Sequence, residues 1–183
     1  MGVKLVSASA GSVEIVAPTT ASNFTATMPA KTGNVMLDGP AFSAYLGTSQ
    51  TVTTGVATKI QLNTEVFDTA SAFDSTTNYR FQPLVAGYYQ VNGMVYGSAT
   101  TTLVVLYCQI NKTGTLYQYG SVLQVATGTG SSPSASVINT IIYLNGSTDY
   151  IELFGTITGT GTCSFSATTG TTNYFNASLV RGA

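Results

Sequence analysis

Along most of this 183-residue chain, apolar and polar positions alternate with a period of two, in short runs separated by glycine, asparagine, serine and threonine. Successive side chains of a strand point to opposite faces, so each run reads as a half-buried strand. The pattern predicts strands over Ala41–Leu46, Thr58–Leu62, Tyr79–Phe81, Gly87–Tyr96, Thr102–Asn111, Thr115–Val125, Ala135–Leu144, Asp149–Thr156, Cys163–Ala167 and Asn173–Val180. Turn residues stand between them at 111–114 (Asn-Lys-Thr-Gly) and 145–147 (Asn-Gly-Ser). The stretch 155–162, "GTITGTGT", reads as a low-complexity turn. In "NYRFQPLVAGYYQVNG" (78–93), Pro83 marks where a short strand stops and needs no ladder N–H. Gly87 there permits a tight corner before a long strand. Ten such strands with no helical period between them predict an all-β sandwich or jelly roll.

Residues 1–39 form a separate small pattern. "VKLVSA", "SVEIVA", "NFTATMP" and "NVMLDG" are four short alternating runs, with Val13 and Ile15 on one face of the second and Glu14 on the other. Hairpins of that length hold no core of their own and need a surface to lie on. The turn signal Asp38-Gly39-Pro40 sets the boundary: an N-terminal β-rich extension over 1–39 and a single β domain over 40–183.

Composition changes the picture in one respect. Charged residues make up 7% of the chain, hydrophobic ones 44%, and net charge is −1. An average soluble domain carries about a quarter charged residues. Threonine, serine, asparagine and glycine cover a surface without charge, yet the many Tyr, Val and Leu point to some surface buried against another chain. "LVVLY" (103–107), apolar on both faces, suits a strand with core on one side and a neighbouring subunit on the other. No basic stripe suggests nucleic acid, and no apolar run reaches the roughly 20 residues of a membrane helix. The start lacks the apolar core of a signal peptide.

Candidate chemistry is sparse. There is no histidine, which removes Ser-His-Asp, Cys-His and His-bearing zinc sites together. Cys108 and Cys163 read either as two buried thiols or as one bridge. Glu65, Asp68 and Asp74 offer oxygen ligands for Ca²⁺ but lack a calcium-loop pattern, and turn capping is the simpler reading. Asp149 and Glu152, three apart on a strand, point to opposite faces and make a poor glycosidase pair. Lys112 and Arg181 read as surface charges or as partners of acids at a subunit boundary. Tyr117 and Tyr119 share a strand face, as sugar-stacking residues or as part of an interface. The Gly/Ser-rich stretch 126–134 matches no phosphate-binding loop. No enzyme, cofactor or metal is expected.

Several stretches carry a family resemblance. They are "PAFSAYL" (40–46), "TKIQLNTEVFDTASAFDSTTNYRFQPLVAGYYQVNG" (58–93), "LYCQINKTGTL" (106–116), "VINTIIYLNGSTDYIELF" (137–154) and "NYFNASLV" (173–180). In their order and spacing they resemble the globular head of complement component 1q and the related tumour necrosis factor jelly roll. Asp149 comes three residues after Gly146, and Ala177 stands where that family usually has Gly. The resemblance implies a ten-stranded antiparallel jelly roll in a tight homotrimer. It implies trimer core or interface roles for Phe42, Tyr88, Tyr89, Val91, Val105, Tyr107, Tyr174 and Phe175. "GSVEIVAPTTASNFTATMPAKTGNVMLDG" (11–39) resembles a strand-rich module at the base of bacteriophage fibre and decoration proteins. That likeness implies anchoring through Val13, Ile15, Phe24, Met28 and Val35.

Together these give the expectation of a non-enzymatic virion surface protein made in the host cytoplasm. Capsid decoration or a head fibre comes ahead of a tail fibre. The partners are then the major capsid protein or a tail or baseplate protein, with a host surface glycan or protein for a fibre tip. The alternative is a free recognition module binding polysaccharide or protein.

Overall fold

In the computed structural model the described residues are 3–6 and 12–15, by their backbone, and 39–125, 132–167 and 172–183. Two compact units are distinguished, Met1–Gly33 and Asn34–Ala183. In the first, β1 (Val3–Val6) and β2 (Ser12–Ile15) form an antiparallel hairpin with Val3 opposite Ile15 and Leu5 opposite Val13. The two later runs expected in the extension, with Phe24, Met28 and Val35, lie outside the described residues, as does 126–131 of the Gly/Ser-rich stretch.

The second unit is all-β, with no helix among its described residues. Its strands are β3 (Ala41–Tyr45), β4 (Gln50–Val52), β5 (Thr58–Lys59), β6 (Thr64–Asp68), β7 (Phe73–Asp74), β8 (Arg80–Phe81), β9 (Ala86–Ala99), β10 (Thr102–Lys112), β11 (Thr115–Gln124), β12 (Ser134–Asn145), β13 (Ile151–Thr160), β14 (Cys163–Phe165) and β15 (Tyr174–Gly182). One antiparallel sheet runs β11-β10-β13-β8-β7, with β5 also on β13. The other runs β4-β14-β9-β15-β3-β6, with β12 along the free edge of β9. The chain crosses repeatedly between the sheets, which is the jelly-roll arrangement.

The core between the sheets follows from the period-two pattern. Tyr89, Val91, Val95 and Ala99 of β9 point inward and are fully buried, as are Leu106, Cys108 and Ile110 of β10 and Leu153 and Ile157 of β13. An aromatic cluster ties the layers together. Phe42 stacks on Phe73 and Phe81 at 4.6 and 4.4 Å and meets Phe175 edge-on at 5.3 Å. Tyr89 completes it against Phe81, and its hydroxyl donates to the Val85 carbonyl at 2.7 Å. Burial pushes that phenol up to about 12.

The structure departs from the sequence pattern in specific places. Gly155–Thr160 belongs to β13 and is not a turn, because β10 pairs with it from Thr102 to Cys108, with one bulge between Leu103 and Val105. The strand expected over Thr58–Leu62 stops at Lys59, although Ile60 and Leu62 still point into the core. The short strands β4, β6 and β7 had not been expected; β6 exposes both Val66 and Phe67, so it shows no alternation to read. Gly87 lies inside β9 rather than at a corner. A Cβ there would collide with the Arg181 carbonyl oxygen and come within 2.6 Å of a Leu179 methyl, at the bulge where β15 crosses β9. The glycine is required by that close approach, not by a turn.

Candidate functional site

The outward face of the larger sheet carries the most unusual surface. On β9, Tyr88, Gln90, Asn92, Met94 and Tyr96 alternate with the core residues and point away from it. Strand register extends them into rows across β12, β15 and β3. Tyr143, Tyr88 and Arg181 make one; Ile141, Gln90, Ser178 and Ala41 the next. Asn139, Asn92, Asn176 and Ser43 form the third, and Val137, Met94, Tyr174 and Tyr45 the fourth. Tyr88 and Tyr143 have ring centroids 5.4 Å apart, and Val137 and Ile141 are 43% and 53% exposed. In the asparagine row, Gln90 Nε2 donates to Asn92 Oδ1 at 3.3 Å and Asn92 Nδ2 to Asn176 Oδ1 at 2.9 Å. A polar ladder is thus set within an apolar, aromatic face.

A second, different apolar surface lies along β11, where Leu116, Tyr117, Tyr119 and Val122 are exposed and Tyr107 packs edge-on to Tyr119 at 5.6 Å. The seam between β11 and β12 is held by a buried hydroxyl. Ser136 Oγ donates to the Ser121 carbonyl at 2.6 Å and accepts from the Cys108 N–H at 2.9 Å. Ser121 Oγ accepts from Val137 N–H at 2.9 Å, and Thr140 Oγ1 donates to Gln118 Oε1 at 2.7 Å. A Cβ on Gly120 would collide with Cys108 Sγ, so only glycine lets the strands close here.

The residues expected in the trimer core or interface divide between two environments. Phe42, Tyr89, Val91 and Phe175 lie in the protomer's own core. Tyr88 and Tyr174 lie on the outward face of the larger sheet, and half-buried Val105 and Tyr107 on the outward side of β10. Val13 and Ile15 fall in β2. Tyr117 and Tyr119 are both exposed. The sequence reading missed the outward residues of β12 (Val137, Ile141 and Tyr143) and the asparagine row; alternation alone marks the first, whereas the row exists only once register is known.

Each of the five acids described in the second unit has a partner. Glu152 pairs with Lys59 at 2.5 Å and Asp149 with Lys112 at 2.8 Å, so the two carboxylates serve separate lysines. Glu65 accepts from Ser75 Oγ at 2.5 Å, and Asp68 accepts from the N–H groups of Ala70 and Phe73. Asp74 accepts from the N–H groups of Thr77, Thr76 and Asn78 and from Asn78 Nδ2. Among the described residues no cluster of three potential metal ligands occurs; of the three acids weighed as a calcium site, Asp68 and Asp74 cap turns and Glu65 holds the Ser75 hydroxyl. Both cysteines are free and buried, and burial pushes the Cys108 thiol up.

These caps predict a stability profile. The Thr77 and Thr76 N–H groups hold the Asp74 carboxyl well below its ordinary 3.8, and the Lys112 ammonium lowers Asp149. A carboxyl depressed in the folded state stabilises above its unfolded pKa, and that contribution is lost as pH falls toward the folded value. The urea midpoint is therefore level from pH about 7 to about 5 and declines below about 4. Asp74 is half-buried, so solvent partly screens it; Asp74→Asn costs about 1 kcal/mol at neutral pH and flattens the acid limb.

No family model and no curated protein matches the chain by sequence. Its fold does match solved structures. It is similar to Eiger TNF from S. frugiperda, with TM-score 0.57 and 11% identity over 79% of this chain and 93% of that one. It is also similar to murine APRIL, at pH 5.0 with TM-score 0.54 and 9% identity and at pH 8.0 with 0.56 and 8%, over 78% of this chain and 100% of the chain in each of those structures. At such identities what is shared is the fold, and that fold is the jelly roll of these TNF-like structures.

Proposed function

We propose that this chain is a non-enzymatic structural protein of a bacteriophage virion. It forms a homotrimeric appendage on the particle surface, with the jelly-roll head outward and the N-terminal segment attached to the capsid or tail. One observation carries the self-association: a single jelly roll exposes two different apolar surfaces, the β9–β12 face and the β11 edge. Two unlike patches that bury each other give a head-to-tail contact, and such contacts end in a closed ring when the rotation permits. The resemblance to the complement component 1q head favours three subunits. A non-enzymatic role is supported by the absence of histidine and by the five acids described in the second unit, each ion-paired, hydrogen-bonded to a hydroxyl or spent as a cap.

The virion placement draws on the phage-like pattern of residues 11–39 and on the small unit at Met1–Gly33. Capsid decoration or a head fibre is favoured over a tail fibre, since a trimer matches the threefold positions of a capsid lattice. Docking across several capsomers would add avidity and stabilise the shell by mass action. The test incubates the full-length protein with intact phage particles lacking it and with host cells. Capture by particles, lost when residues 1–39 are deleted, is the expected result. Adhesion to cells without capture would replace this reading with a free recognition module.

A further inference from the structure

Beside β7 and β8 a cavity of about 330 Å³ opens among Ser71, Asp74, Asn78, Arg80, Gln82 and Leu84. It belongs to neither apolar surface. Its chemistry centres on Arg80, whose guanidinium lies over the Tyr150 ring with its carbon 4.3 Å from the centroid. Stacking fixes the plane of the fork and leaves its N–H edge free. Among the described residues Arg80 makes no ion pair and its side chain donates no hydrogen bond, so its five donors are unspent. The neighbouring carboxylate does not use them, because both Asp74 oxygens already accept from the 76–78 turn.

The amides on the rim are oriented by contacts of their own. Gln82 Nε2 donates to the Ser147 carbonyl at 2.9 Å, and Asn78 Nδ2 donates to Asp74 Oδ2 at 2.7 Å. Each therefore keeps a carbonyl oxygen without a partner. Leu84, 79% exposed, supplies an apolar ledge. Ser71, which lines this cavity, takes a positive φ of 51°, and Tyr79, between the lining residues Asn78 and Arg80 in sequence, takes one of 50°. Strained backbone of this kind gathers at binding sites.

We infer that this cavity binds a sugar residue carrying a carboxylate, such as one uronic acid unit of an acidic saccharide. The fork takes the carboxylate in bidentate fashion, the amide oxygens and the Ser71 hydroxyl take sugar hydroxyls, and Leu84 lies under the apolar face of the ring. A bare anion would leave the amide oxygens and Leu84 unused, and a neutral sugar would leave the guanidinium unpaired. The volume lies at the lower end of ligand sites, about 300–1,000 Å³, and suits one or two rings rather than a length of peptide. This inference does not depend on the oligomeric state or on the virion assignment.

The experiment titrates the ¹⁵N-labelled full-length protein with trigalacturonate, with maltotriose and inorganic phosphate in parallel. Saturable shifts are expected at the Arg80 Nε–H and the Gln82 and Asn78 side-chain amides, with a Kd near about 1 mM. Arg80→Gln weakens binding at least about tenfold, and so does Leu84→Glu, which sets a negative charge on the exposed ledge. The inference is overturned by the absence of a saturable shift with trigalacturonate, by an equal response to maltotriose or phosphate, or by unchanged affinity in Arg80→Gln. Should Arg80→Gln fail to fold, Leu84→Glu decides alone: unchanged affinity there overturns it too.

Discussion

Replacing Phe42 with alanine lowers the free energy of unfolding by about 3–5 kcal/mol, the range for deleting a fully buried aromatic ring. Phe42 is 0% exposed and sits on β3 of the larger sheet, while its stacking partners Phe73 and Phe81 sit on β7 and β8 of the smaller one. Its third ring contact, Phe175, is on the adjacent β15. One side chain therefore joins the two layers, and each ring pair adds about 0.5–1.5 kcal/mol beyond burial. The measurement is a urea titration, with a lower midpoint and an unchanged slope. Phe42→Leu, which keeps an apolar side chain, loses about 1–2 kcal/mol. A loss below about 1 kcal/mol in the alanine variant would mean that the sheets are held together elsewhere.

On the proposed self-association, the double substitution Val137→Glu, Ile141→Glu leaves single chains. Both positions point away from the core and are exposed in the protomer, so its unfolding free energy stays within about 0.5 kcal/mol. In the proposed assembly they would be covered, and an unpaired buried carboxylate costs several kcal/mol. The penalty recurs in every subunit, so association weakens by a factor well above about 1,000. Light scattering at micromolar concentration reads the change as three chains falling to one. Val56→Glu, at a 50% exposed loop position outside both apolar surfaces, leaves the mass unchanged. A wild-type protein that is already a single chain under these conditions removes the self-association reading altogether.

How legible this molecule is depends on the range of the interaction concerned. Alternation along β9 to β12 is local, and it placed those strands within a few residues and put Tyr88 and Tyr89 on opposite faces. The strand β6 is legible only after folding, because it is held by the register of Phe42 on Asp68 and Ser43 on Phe67 and not by its own pattern. The same holds for Gly155–Thr160, whose glycines and threonines look like loop until β10 pairs with them. Lys59 and Glu152 lie far apart in sequence, and no spacing rule joins them. The asparagine row is of the same kind: Asn92, Asn139 and Asn176 are unremarkable in sequence and become one feature through two strand registers. Candidate chemistry was legible mainly by exclusion, through the missing histidine, whereas the free fork of Arg80 required knowing that Tyr150 lies beneath it and that Asp74 is already spent.

The way β11 and β12 meet bears on how a further strand could be added to either sheet. Each is the last strand of its sheet on that side, and the margin of a sheet ordinarily invites a foreign strand to add on. Here the two margins occupy each other: Ser121 and Ser136 engage the main chain across the gap, at the Val137 N–H and the Ser121 carbonyl. A strand adding to either margin at this point would first have to displace those two serines, which disfavours growth of the ladder there.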